Sequence, residues 1–234
     1  MRSLLLVMLA ACTDHGQSPG MADASLRDGT LPSDILDPCP GGMHLTGELI
    51  DWDSPIGGFM GVFEAKLFAP GNPTPILSTP PNGRMDTCVA TANPLRFDVD
   101  APTDYLDGTM VIQPEALTSL RPISFRSIKM ARASSFFAER GLTFNPNRAQ
   151  VVVFLAGDRA QIGLDRPHDT TQAGNDDGSP GTFVWTVGDG GRYVLFPNVD
   201  TAQATGMISG PMPAITVPLA PGKLTLVAVS FVFI

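Results

Sequence analysis

An all-β fold, laid out as two β-sandwiches in tandem with a short helix between them, is predicted for this 234-residue chain by three observations. Glycine (24) and proline (22) together make up about a fifth of the residues, so turns are frequent and long helices are disfavoured. Alternating apolar and polar stretches recur between those turns at the spacing of about 8 to 12 residues typical of sandwich strands. Only one segment, residues 124–141, carries helical spacing instead.

The chain opens with MRSLLLVMLAAC. Arg2 provides a positive end, Leu4 to Leu9 an apolar run, and Ala10-Ala11 a small pair ahead of Cys12, the layout of a secretory signal. The run is far shorter than the ~18 apolar residues of a membrane span. Leu9-Ala10-Ala11-Cys12 resembles the box of bacterial lipoprotein signals. That resemblance implies removal of residues 1–11, a diacylglycerol on the Cys12 sulfur and acylation of the new amino group. Thr13 in place of Asp after the cysteine implies sorting to the outer membrane. The alternative is an ordinary strand or helix start with a core cysteine.

Residues 12–43 are rich in Gly, Pro, Ser and Asp and lack apolar periodicity, as expected of a flexible tether. With Cys12 lipidated, Cys39 and Cys88 remain, and an even pair in an exported chain points to a disulfide, two buried thiols being the alternative.

The first sandwich is expected over residues 44–120. HLTGELIDW alternates, SPIGG turns, and GVFEAKLFA alternates with Val62, Glu64, Lys66 and Phe68 opposite Phe63, Ala65 and Leu67. ILST, RMDTCVAT, LRFDVDA and GTMVIQPEA follow between turns. Residues 121–148 form the linker. Phe125, Ile128, Arg132 and Phe136 fall at helical spacing beside Met130, Ala133 and Phe137, and Gly141 is a C′ stop. The second sandwich is expected over 149–234, from AQVVVFLAGDRAQIGLDR to the closing KLTLVAVSFVFI, a buried strand too short to span a bilayer. Within it, residues 166–181 read as a long exposed loop, and Gly190-Gly191 as a turn with φ > 0 joining TFVWTV to RYVLFPNV.

The first of these runs resembles the carboxypeptidase regulatory-like domain, a transthyretin-like, broadly Ig-like sandwich, at Gly47, Asp51, Pro55, Gly61-Val62, Ala65, Leu67, Thr79 and Gly83. The later half of the same family is similar to this chain at Thr186, Asp189, Gly191, Tyr193, Phe196 and Val199. The resemblance implies an accessory or adhesive module and carries over no catalytic residue.

Charge narrows the partners. With 23 acidic and 15 basic residues and no basic cluster, the chain repels phosphate backbones, so no nucleic-acid partner is expected. Expected partners are the membrane, through the lipid anchor, and an envelope protein or glycan. No cofactor is expected, and the expected role is binding or structural rather than enzymatic.

The alternative is a metal-dependent enzyme or Ca²⁺ module centred on residues 165–177, where Asp165, Asp169, Asp176 and Asp177 offer hard oxygens and His168 an imidazole, although EF-hand spacing is absent. Intradiol dioxygenases, also transthyretin-like, hold iron with two Tyr and two His. Tyr105, Tyr193, His44 and His168 match that count, but both histidines precede Tyr193, against the family's spacing. The serines lack a Gly-x-Ser-x-Gly elbow. Trp52 and Trp185 read as core residues, with sugar stacking as their role if exposed.

Overall fold

Strand-forming stretches of this chain come in two textures, and the fold places them differently. A computed structural model describes residues 39–52, 54, 60–119, 122–176 and 183–230. In the first half lie β1 (Gly42–Asp51), β2 (Lys66–Phe68), β3 (Pro75–Ser78), β4 (Arg84–Ala90), β5 (Leu95–Asp100) and β6 (Gly108–Ile112). Next come α1 (Pro114–Leu117), β7 (Ile123–Ser127) and α2 (Met130–Glu139). After them follow β8 (Ala149–Leu155), β9 (Ala160–Gln161), β10 (Gly163–Leu164), β11 (Gln172–Asp176) and β12 (Phe183–Val187). The chain continues through β13 (Gly190–Gly191), β14 (Tyr193–Val199), β15 (Thr205–Ser209), β16 (Ile215–Pro218) and β17 (Leu224–Val229). Among the described residues no helix is long and apolar enough to cross a membrane. The signal, Cys12 and most of the tether lie outside the described residues.

Alternating sequences make half-buried strands. In β5, LRFDVD buries Leu95, Phe97 and Val99 and exposes the residues between them. Continuous apolar runs make strands covered on both faces: every residue of β8 and of β17 is buried. Such two-sided burial is the habit of parallel strands, and β17 pairs in parallel with both β8 and β6.

These strands form the middle of a nine-stranded open sheet, ordered β12-β11-β14-β8-β17-β6-β5-β2-β3. On one face, Met110, Val152, Phe154, Leu195 and Leu226 pack against Leu45 and Leu49 of β1, Phe125 of β7 and Phe136-Phe137 of α2. On the other, Val111, Val151, Val153, Phe196 and Val227 pack against Ile208 of β15 and Val217 of β16. The outer layers are the β4-β1-β7 and β10-β15-β16 sheets.

The all-β class holds, but its arrangement differs from two sandwiches in tandem. Strands from 44–120 and from 149–234 share one sheet and one compact unit, with β17 between β8 and β6. A strand apolar on both faces needs a cover on each side, and layers stacked around one central sheet supply both. The β17–β6 approach is close: a Cβ on Gly108 would come within 1.7 Å of the Leu224 carbonyl oxygen.

Three local expectations are also revised. The segment 124–141 divides into β7, parallel to β1, and α2, which alone is helical; Gly141 does stop it, at φ +69°. The spacing of Phe125 and Ile128 looks helical, but all five residues of β7 are buried between neighbouring elements. Residues 166–181 contain β11, inserted between β12 and β14, so these two are not a hairpin. Gly190 and Gly191 form β13 against β9, and neither has φ > 0. Gly191 is needed for space instead, since a Cβ there would meet the Tyr193 and Gly174 carbonyl oxygens at 2.8 and 2.9 Å.

Candidate functional site

The two cysteines meet at the first strand. β1 and β4 run antiparallel with His44 opposite Cys88, and Cys39 lies just before β1. The Cα atoms of Cys39 and Cys88 are 5.4 Å apart and the sulfurs are bonded. Cys39 is buried, and its carbonyl accepts the Gly42 N–H, which turns the chain into the strand.

Among the described residues, Asp165, His168 and Asp169 form no metal-holding group. Asp165 accepts the Met207 N–H and lies beside Arg166, whereas Asp169 accepts from the Asn198 side chain. Asp176 belongs to β11, and Asp177 lies outside the described residues. Among the described residues, no group of three His, Cys, Asp or Glu side chains could hold a metal ion.

The Tyr and His set is likewise engaged piecemeal. His44 pairs with Asp86 at 2.8 Å, and this bond, more than the Arg84 charge nearby, holds the Asp86 carboxyl below its usual range. Tyr193 is fully buried beneath the Arg126 guanidinium, 4.7 Å from the ring centroid. Tyr105 donates to Asp51 at 2.7 Å, and Lys129 reaches the same carboxylate oxygen at 3.2 Å. Asp51 is itself buried, so the cluster pins the end of β1 to the start of α2. Trp52 and Trp185 stack with centroids 4.8 Å apart, both buried against Phe136, and thus serve the core.

One cleft does gather chemistry. About 580 Å³ in volume, it is lined by residues of the 143–148 segment, by Pro167, His168 and Asp169, and by Asn198 and Asp200. Its pivot is Asn198. β14 changes register between Phe196 and Val199, and within that bulge Asn198 takes φ +51°, a left-handed conformation that asparagine tolerates better than most residues.

From there Asn198 ties three segments together. Its N–H donates to Gln150 Oε1 (3.0 Å), and its Nδ2 donates to the Thr143 carbonyl (2.8 Å) and to Asp169 Oδ2 (2.6 Å). Its Oδ1 accepts from the Asn145 N–H (2.9 Å) and Gln150 Nε2 (3.1 Å). On the rim, Asp200 accepts the Ala202 N–H and pairs with Arg148 at 3.0 Å. The first of these contacts, then the second, keeps its carboxyl below the usual range.

Sequence reading thus reaches His168 and Asp169 but passes over Asn198, Arg148 and Asp200. The available signal was Pro197-Asn198 inside an apolar strand: proline in a strand marks an edge or bulge, and asparagine is the residue to follow it at positive φ.

No family model, no curated protein and no solved structure matches the chain.

Proposed function

We propose that this chain is a lipid-anchored protein of the bacterial cell envelope, at the outer membrane, with a non-catalytic binding or structural role. The observation that carries the proposal is the Cys39–Cys88 disulfide. Such bonds persist in oxidising compartments such as the periplasm or cell surface, and this one sits where the tether meets the first strand. The Leu9-Ala10-Ala11-Cys12 box supplies the matching export and anchoring signal. Two or three acyl chains hold firmly because each buried methylene contributes about 0.8 kcal/mol.

The resemblance of residues 47–83 and 186–199 to carboxypeptidase regulatory-like strands supports an accessory role. The cleft at Asn198 offers a place for a partner.

Detergent-phase partitioning of the full chain expressed in a bacterial host tests the anchor. Wild type should enter the detergent phase and Cys12→Ser the aqueous phase. Aqueous partitioning of both would overturn it.

A further inference from the structure

We infer that the cleft beside Asn198 binds a neutral saccharide, plain or N-acetylated, through its hydroxyl groups, an inference that rests on the binding role above and names its ligand class. The first support is the state of His168. Its Nδ1 lies 2.6 Å from the Asp169 carbonyl oxygen. A carbonyl only accepts, so in the neutral ring Nδ1 carries the proton and Nε2 keeps a lone pair. The ring packs edge-on against Phe196, centroids 5.0 Å apart, which fixes its orientation. Among the described residues Nε2 has no hydrogen-bond partner.

Asp169 is similar. Its Oδ2 accepts from Asn198, whereas its Oδ1 has no partner among the described residues. His168 Nε2 and Asp169 Oδ1 are thus acceptors that no described protein group engages, open to donors from solvent or from a ligand. Arg148, the only lysine or arginine that lines it among the described residues, is already paired with Asp200. An anionic ligand would find no uncommitted cation and would face a chain of net charge −8.

A saccharide fits on each count. Its hydroxyls donate to Nε2 and Oδ1, and its C–H face has the half-buried Phe144 ring in the cleft wall. The volume of about 580 Å³ falls within the range of about 300–1,000 Å³ found for small-molecule sites. The five hydrogen bonds of Asn198 hold the 143–145 segment and Asp169 in place beforehand. Little ordering then opposes binding.

Amide NMR titration of the full chain in detergent tests this with three probes: diacetylchitobiose, cellobiose and digalacturonate, each to about 10 mM, the weak end of the Kd scale. At least one neutral probe should shift the amides of Asn145, Arg148, His168 and Asp200, and digalacturonate should not. His168→Phe keeps a ring against Phe196 but removes Nε2. It should weaken binding by up to about tenfold, the worth of one hydrogen bond to the ligand, and lower the melting temperature only slightly, since the Nδ1 bond to the exposed Asp169 carbonyl is lost with the ring nitrogens. The inference fails if neither neutral probe shifts these amides, if the shifts fall elsewhere, if the uronate binds as well, or if His168→Phe binds like wild type. Detergent partitioning is indifferent to all of these outcomes, so loss of the saccharide reading leaves the anchor reading to be decided separately.

Discussion

Tyr105 gives its hydroxyl proton to Asp51 across a gap of 2.7 Å, and pH turns that bond into a stability signal. Burial first, then the hydrogen bond to Asp51, push the phenol up to about 12. Lys129 is raised too, chiefly by its hydrogen bond with Tyr105. Both groups hold their protons more tightly folded than unfolded. Their stabilisation is therefore complete below about pH 10, where free Tyr and Lys begin to titrate, and is lost as pH rises through the folded Tyr105 value of about 12. Urea midpoints should fall across this window, and Tyr105→Phe should flatten the fall. At neutral pH the variant should cost about 1–2 kcal/mol, because a buried carboxylate loses a donor. A wild-type-minus-variant difference that stays constant up to pH 12 would sink this account. Little at this scale is legible in sequence. Asp51 and Tyr105 lie 54 positions apart and carry no shared motif. Cys39 and Cys88 were legible because cysteine has so few partners to choose from.

Among the elements, β11 shows what periodicity cannot see. QAGND has one apolar side chain, Ala173, and reads as loop. It is a strand because its neighbours supply the burial: Gly174 stands opposite both Trp185 and Tyr193, whose rings meet with centroids 6.4 Å apart. Its backbone pairs with both neighbours and so joins β12 to the sheet. Replacing residues 168–178 with a Gly-Ser linker should therefore unfasten β12 and lower the melting temperature as severely as Gly191→Val, whose side chain has no space. Thermal circular dichroism of the two variants, with tryptophan fluorescence reporting on Trp185, checks this. A linker variant that melts within a few degrees of wild type would return the segment to a dispensable loop. The outer strands, by contrast, were legible wherever one face meets solvent, as in LRFDVD.

Across the whole molecule, the run KLTLVAV announces a strand covered on both faces, but nothing in it names β6 and β8 as its neighbours. Asp107 and Lys223, which bridge the start of that pairing at 2.9 Å, are 116 positions apart, and parallel pairing leaves no turn signature between them. Domain boundaries drawn from local texture therefore miss a sheet closed by distant segments. A chain ending at residue 222 should lose β17 from both cores and, with it, cooperative unfolding; a sigmoidal melt with wild-type circular dichroism would contradict this. The same placement sets an order in time. Synthesis delivers β6 and β8 long before β17, so two half-sheets with raw inner edges must wait for the strand that belongs between them. Such long-range closure is slow and prone to aggregation while it waits. A nascent chain of this design stays open until Leu224–Val229 have emerged. Until then the inner edges of both half-sheets can pair with other strands, so the interval before β17 docks is the one in which this chain is most exposed to misassembly.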